Sequence, residues 1–244
     1  SGTGGFAFWA ESSVPIMQNP NAPEGLENYG LYADDLPEVS FVPFRVREGE
    51  EASCLNLNRA QRPRIMGVDP DGLISRQAFS FASSWKGHSM EPSGWQWLHE
   101  VLKDGAIPGV ADHQSILCAM GKKVGDVLEV MDASGEVLRI RLVAGVANSI
   151  LQGSVLIAES HFTQHFRGAA GYKAFLVDAP AESQQELGKK LSRALEDVGF
   201  SLYDSVERMN AFNAVQNTYL STFQLLGGLG PVSYTHLRAH ETVL

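Results

Sequence analysis

The stretch from Ala174 to Tyr203 reads AFLVDAPAESQQELGKKLSRALEDVGFSLY and predicts a helix between two strands. Its first four residues form an apolar run, and Pro180 suits the first turn of a helix. One apolar stripe at helical spacing follows, made of Leu187, Leu191, Ala194, Leu195 and Val198. Gly199 ends the helix, and the last four residues resume as a strand. Such a connection packs a helix on one face of a sheet, which predicts an α+β fold or a split βαβ arrangement.

A β-hairpin is the clearest local signal elsewhere in the chain. Residues 127–130 and 137–143 are two strands joined by a turn at 132–135 that ends in glycine. In the second strand, Arg139 and Arg141 alternate with apolar residues, so one face is predicted to meet water and the other a core.

Other apolar runs predict further strands, at 5–10, 41–47, 63–68, 107–111 and 155–158, with a loop over 15–30. Because proline cannot donate to a β-ladder, Pro43 favours an edge position for its strand.

Three short helices and one long helix are also predicted. Ser93 can cap the first, whose apolar face includes Trp95, Leu98, Val101 and Leu102. The others cover 113–120 and a segment beginning near Ser160. The long helix carries Met209, Phe212, Gln216, Tyr219, Phe223 and Leu226, and it becomes more apolar toward Gly230, as many membrane helices do where they begin.

Composition describes an acidic globular chain. Of 244 residues, 44% are hydrophobic and 19% charged, and the formal net charge is -9. That charge repels phosphate backbones and anionic lipid headgroups, which argues against nucleic-acid and membrane-surface binding. The sequence contains no apolar run long enough to span a bilayer and no basic leader in residues 1–10. The chain is therefore either cytosolic or a piece of a longer protein.

Two groups of residues suggest catalytic or metal chemistry, and neither is sufficient for it. His161 and His165 are spaced for a metal on one helix face, but a zinc site needs further ligands, and solvated helix histidines explain them too. Asp112, His113 and Ser115 suggest parts of a hydrolase triad, yet the sequence has no GxSxG elbow. We predict no catalytic, metal-binding or cofactor-binding residues.

Lys122-Lys123 lies between glycines but lacks the spacing of a P-loop, and it is interpreted as a turn before the hairpin. Two larger sets have open interpretations. The aromatic residues Trp85, Trp95, Trp97, Phe79 and Phe81 form either a buried core or a surface for an acyl chain. The arginines Arg45, Arg47, Arg62 and Arg64 either meet an acidic partner or are solvated at strand edges.

The cysteines, Cys54 and Cys118, are either paired or isolated thiols. The last residues, 231–244, differ abruptly in composition from what precedes them and hold two of the seven histidines. We interpret them as a non-native tail and exclude them from functional reasoning.

Five stretches in order resemble the extracytoplasmic domain of FtsX-like and MacB-like ABC-transporter permeases: 5–12 (GFAFWAES), 44–58 with its Phe44–Arg47 strand and Ala52–Asn58, 120–126 (MGKKVGD), 147–154 (ANSILQGS) and 212–220 (FNAVQNTYL). The resemblance covers most of residues 1–230. It implies two lobes: an α+β lobe near the membrane, from the flanking segments, and a β-rich lobe inserted at roughly 60–165.

The resemblance also implies a bacterial inner-membrane protein, with this domain on the extracytoplasmic side and residues 206–230 leading into a membrane helix. It implies an ABC ATPase as partner, a permease dimer, a possible periplasmic partner protein, no cofactor and no enzymatic activity. Such a domain couples ATP-driven motion to transport or extraction of a lipid-linked, apolar or peptide substrate. Two alternatives stay open: a free-standing periplasmic lipid- or lipoprotein-binding module, and a hydrolase.

Overall fold

The computed structural model describes residues 2–49, 63–85 and 94–214. Its strands are β1 (Phe8–Ile16), β2 (Ser40–Arg47), β3 (Arg64–Val68), β4 (Phe81–Ser84), β5 (Ile107–Asp112), β6 (Val127–Met131), β7 (Val137–Val146), β8 (Ser154–Ala158), β9 (Tyr172–Asp178) and β10 (Ser201–Asp204). Its α-helices are α1 (Asp71–Ser75), α2 (Glu159–His165), α3 (Gln184–Ala194) and α4, which occupies 205–214 of the described residues. Helices and strands thus mix as the α+β prediction requires.

All the strands belong to one sheet of 10 strands, in the order β10-β1-β9-β2-β3-β8-β5-β7-β4. The hairpin strand β6 pairs with residues 137–141 of β7, on the edge that β4 occupies farther along. The order separates the chain into two halves of the sheet. Strands from 64–158 form one half, strands from the flanking segments form the other, and the antiparallel pair β2–β3 joins them.

The flanking half contains a split βαβ unit. Both β9 and β10 are antiparallel to β1, so they are parallel to each other, with β1 between them and α3 connecting them. Gly199, with a φ of 64°, ends the turn after α3, a backbone conformation that glycine adopts without a steric penalty. This confirms the helix and strands predicted from the stretch 174–203.

Both faces of the sheet are buried. On one face a single cluster runs across both halves and includes Trp9, Phe44, Met66, Val143 and Met209 of α4. On the other face α3 packs over the flanking half, and α2 packs over β3, β5 and β8. Because β8 is covered on both faces, it is buried at every position, including its one polar residue, Ser154.

Three expectations about single elements are wrong. Pro43 lies in a central strand, since β2 pairs with both β9 and β3. The β3 ladder ends opposite Phe44, so Pro43 pairs only with Phe175 of β9 and its missing N–H costs no bond to β3. The first strand begins at Phe8 and runs on to Ile16, because it pairs with two neighbours.

The third concerns the helix predicted to begin after Ser93. Ser93 itself lies outside the described residues. This segment is a 3-10 helix, Gly94–His99, and not a longer α-helix. Trp95 and Leu98 are buried as predicted, but Val101 lies beyond the helix end and is 93% exposed. The strands at 63–68, 107–111 and 155–158 are confirmed within one residue, and the hairpin is confirmed with a second strand that is three residues longer, ending at Val146.

Candidate functional site

The two ends of the described domain lie side by side. The backbone N–H of Ser205, at the start of α4, donates to the carbonyl of Ala7 just before β1, at 3.0 Å. Asp204 begins α4 as an N-cap, since its Oδ1 accepts the N–H groups of Val206 at 2.8 Å and Glu207 at 2.9 Å. The segment that leads into β1 and the helix that follows β10 therefore meet at one place on the domain.

Arg208 holds α4 against the sheet through aromatic rings. The centre of its guanidinium lies 5.0 Å from the ring centroid of Trp9, 5.1 Å from that of Phe212 and 5.8 Å from that of Tyr203. Burial lowers the pKa of Arg208, and the nearby charge of Glu11 opposes that shift. A cation between aromatic faces is attracted by their quadrupoles, most strongly where water is excluded.

Glu11 connects this cation to a second arginine. Its Oε1 lies 2.7 Å from Nη1 of Arg64, whose Nε is 3.2 Å from a carboxylate oxygen of Glu48. Burial would raise the pKa of Glu11, but the hydrogen bond and charge of Arg64 and the charge of Arg208 outweigh it and lower the pKa. The carboxylate thus stays ionised between two cations, one on β3 and one on α4.

Strands from 64–158 form what we call the inserted half of the sheet, and one of its loops contacts both ends of the described domain. We call residues 147–150, which follow β7, the junction loop. The N–H of Ile150 donates to the carbonyl of Gly2 at 2.9 Å, and the side-chain amide of Asn148 donates to Oδ1 of Asn213 in α4 at 3.3 Å. Asn148 has a φ of 36°, in the left-handed region that asparagine tolerates better than most residues.

Gly2 fits because it has no side chain. A Cβ atom there would overlap the carbonyl oxygen of Asn148 and would lie 2.9 Å from the sulfur of Met209. The N-terminal segment, the junction loop and α4 are therefore in mutual contact around one glycine.

Asp112 ties the junction loop to the inserted half of the sheet. Its carboxylate is fully buried at the end of β5. Oδ2 accepts the N–H of Ser149 at 2.8 Å and its hydroxyl at 3.1 Å, while Oδ1 accepts the N–H groups of Gln114 at 3.0 Å and Ser115 at 3.2 Å. These contacts continue the path from α4 through Asn213 and Asn148 into β5.

The solved structures that are similar to this chain include two transporter domains. The periplasmic region of MacB from Actinobacillus actinomycetemcomitans aligns with a TM-score of 0.45 and 8% identity, over 87% of this chain and 94% of that one. The extracellular domain of YknZ, a noncanonical ABC-type transporter from Gram-positive bacteria, aligns with a TM-score of 0.40 and 11% identity, over 81% of this chain and 100% of that one. No protein-family model and no curated protein matches the sequence.

The suggested triad residues are not brought together as a triad. The Asp112 carboxylate is occupied as described, Nδ1 of His113 lies 2.8 Å from Oγ of Ser83, and the hydroxyl of Ser115 accepts the N–H of Gly153 at 2.9 Å. Asp112 serves instead to join two loops.

The two helix histidines have different surroundings. Nδ1 of His165 lies 3.5 Å from Oδ2 of Asp132 in the hairpin turn, so α2 contacts the hairpin there. Burial, and then the charge of His165, lower the pKa of His161. Among residues 2–49, 63–85 and 94–214, no three His, Cys, Asp or Glu side chains form a group that could hold a metal ion.

The open interpretations of the remaining candidates are partly resolved. Trp95, Trp97 and Phe79 are buried, and Phe81 and Trp85 pack against them, which supports the core interpretation. Lys123 donates its backbone N–H to Asp126 at 2.8 Å in a turn before β6, as predicted.

Three of the four arginines have acidic or aromatic partners within the described residues. Arg45 pairs with Glu159 of α2 at 2.6 Å, Arg64 pairs as described above, and the Arg47 guanidinium lies 5.2 Å from the Phe166 ring. Arg62, Cys54 and the tail 231–244 lie outside the described residues, and Cys118 is an exposed free thiol. None of the helices in the described ranges is both long and apolar enough to cross a membrane.

Sequence reasoning missed Arg208 and the role of the junction loop. The signal for the loop was present, since Asn148 and Ser149 belong to the stretch 147–154 and Asn213 to the stretch 212–220, which were singled out only by resemblance. Arg208 gave no such signal, because its partners Trp9 and Tyr203 lie on strands β1 and β10 and not on its own helix.

Proposed function

We propose that residues 1–230 are the extracytoplasmic domain of a bacterial ABC-transporter permease, which passes ATP-driven motion from membrane helices into the inserted half of the sheet. The single observation that carries this is the meeting of the chain ends, where Ser205 is hydrogen-bonded to Ala7. A domain whose incoming and outgoing segments lie together fits between two consecutive membrane helices without distortion. The resemblance of its ordered motifs to such permeases supports the same conclusion.

In this proposal α4 is the start of a lever that continues over 206–230. A displacement of α4 along its axis is transmitted to the junction loop through Asn213 and to β1 through Arg208. From the loop it reaches β5 through the hydrogen bonds of Asp112. Packed elements with two discrete arrangements transmit such displacements as hinge or shear motions. The inserted lobe, roughly 60–165, is then the part that meets a lipid-linked, apolar or peptide substrate, or a periplasmic partner.

The partners of this proposal are a cytoplasmic ABC ATPase and a second permease copy in the bacterial inner membrane. The intact gene tests it directly. Apolar segments of about 20 residues on both sides of codons 1–230, with an ATPase gene adjacent, are the expected result. A stop codon right after codon 230, together with a cleavable leader, would contradict the proposal and favour the free-standing binding module.

A second experiment tests the motion itself. In the intact permease reconstituted with its ATPase, with Cys54 and Cys118 changed to serine, the pair Asn148→Cys and Asn213→Cys is oxidised. We expect rapid disulfide formation without nucleotide and a clear change in its rate during ATP turnover. A rate that nucleotide leaves unchanged would show that α4 does not move against the junction loop.

A further inference from the structure

A groove runs along the outer edge of the sheet between β10 and α4. We call it the β10–α4 groove; its volume is about 390 Å³, and its walls include Leu202, Tyr203, Asp204, Glu207, Ala211 and Phe212. Tyr203 is 44% exposed, and Val206, in the first turn of α4, is 59% exposed. An aromatic wall of the cavity, Tyr203, is thus open to solvent, and a second exposed apolar side chain follows at the start of α4.

The strand that borders the groove has a free edge. Within the described residues β10 is the last strand of the sheet and pairs only with β1. An edge strand presents backbone N–H and C=O groups to which an extended segment of another chain can pair. The cavity follows consecutive residues of this strand, so a segment paired to β10 would pass directly over it.

The open side of the groove is negatively charged. Arg208, the only cation among the described residues that line the groove, lies against the rings of Trp9 and Phe212. Asp204 caps α4, and Glu207, one turn into the helix, is exposed. The complement of this surface is an apolar side chain with a positive charge beside it, and the net charge of -9 adds to the attraction.

We propose that the β10–α4 groove binds an extended, basic segment of a partner protein, which adds as a strand to β10. An apolar side chain of the segment fills the cavity between Tyr203 and Phe212, and a lysine or arginine next to it pairs with Glu207. The proposal concerns a surface of this domain and does not depend on whether the domain works in transport.

The test uses the purified 244-residue chain and a fluorescein-labelled peptide that alternates lysine and valine around a central phenylalanine. Fluorescence anisotropy is expected to show binding that weakens as salt rises from about 20 mM to about 300 mM. Ala211→Trp, which fills the cavity from an exposed helix position, is expected to abolish binding. Glu207→Lys is expected to weaken it about tenfold.

Matched controls separate the site from general charge attraction. Glu182→Lys makes the same charge change at an exposed position before α3 and is expected to leave the affinity unchanged, and circular dichroism verifies that each variant is folded. The proposal is overturned if an acidic peptide with glutamate at each lysine position binds equally well, or if Ala211→Trp does not weaken binding. It is also overturned if sedimentation shows a dimer of the chain that Ala211→Trp dissociates, because a second copy would then be the occupant.

Discussion

The buried carboxylate of Asp112 accepts both the backbone N–H and the hydroxyl of Ser149, at 2.8 Å and 3.1 Å. Its other oxygen accepts the N–H groups of Gln114 and Ser115, which follow β5. The side chain therefore joins the loop after β5 to the junction loop. Both loops follow strands of the inserted half, and one of them reaches α4. The contact between the chain ends and the inserted half therefore depends on one carboxylate.

Replacing Asp112 tests this dependence. Asp112→Ala leaves buried N–H donors without an acceptor, and we expect the free energy of unfolding to fall by about 3 kcal/mol. Ser149→Ala removes only the hydroxyl donor and is expected to cost about 1 kcal/mol. Urea denaturation measures both. Equal losses for the two variants would contradict the view that the backbone donors of several residues converge on Asp112.

Arg208 gives a prediction for α4 alone. Arg208→Ala removes the cation between Trp9 and Phe212, and we expect the amides of 205–214 to lose about 1–2 kcal/mol of protection against hydrogen exchange. Arg208→Lys keeps the charge without the planar group, so the protection of these amides is expected to lie between that of the unsubstituted protein and that of Arg208→Ala. Arg193→Ala, at an exposed position on α3, is the control and is expected to leave α4 unchanged. If Arg208→Ala behaves like that control, the rings do not hold the helix.

Gly2 offers a steric test of the meeting of the chain ends. Gly2→Ala places a Cβ atom against the carbonyl of Asn148, so we expect the N-terminal segment to move away from the junction loop. The expected result is faster hydrogen exchange at Ile150, whose N–H donates to Gly2. Gly168→Ala is the matched control, because nothing lies within 4 Å of its Cβ position. Unaltered exchange at Ile150 in Gly2→Ala would argue against a tight fit there.

The hairpin turn predicts a dependence on pH. The pKa of Asp132 is lowered from 3.8 to about 2, chiefly by the hydroxyl of Ser134 and then by the N–H groups of Glu136 and Ser134. The pKa of Asp132 is lower in the folded protein than in the unfolded chain. Its ionised carboxylate therefore stabilises the fold fully above about pH 4, and this contribution is lost as the pH falls through about 2. We expect the amide NMR signals of Ser134 and Glu136 to titrate with a midpoint near that value.

Asp132→Asn is expected to abolish this titration, and Asp197→Asn, at an exposed position after α3, is expected to preserve it. If the same amide signals still titrate in Asp132→Asn, another acidic group causes the titration.

Local sequence patterns predicted most of the strands and helices, because the alternation of apolar residues in a strand and their spacing in a helix indicate which face is buried. The hairpin and the unit from 174 to 203 follow from such patterns alone. Strand order does not, because it depends on pairings between distant segments. Pro43 shows the difference: proline usually marks an edge, yet here one neighbouring strand ends just before it.

The candidate site was harder to predict than the fold. The sequence suggests a triad role for Asp112 because it shows neighbours and not contacts, whereas one of the two carboxylate oxygens accepts hydrogen bonds from Ser149, 37 positions away. Arg208 lies between Glu207 and Met209 in a helix of mixed polar and apolar residues, and nothing in that sequence distinguishes it. Its role depends on Trp9, at the opposite end of the chain.

The position of β1 between β9 and β10 determines the order in which the domain is completed during synthesis. Among the described strands β1 is synthesised first, but its two partners, β9 and β10, are synthesised last, so β1 has neither partner while residues 64–158 are synthesised and form their own half of the sheet. A chaperone that shields the apolar residues around Trp9 from other segments of the nascent chain would therefore be needed longest at β1.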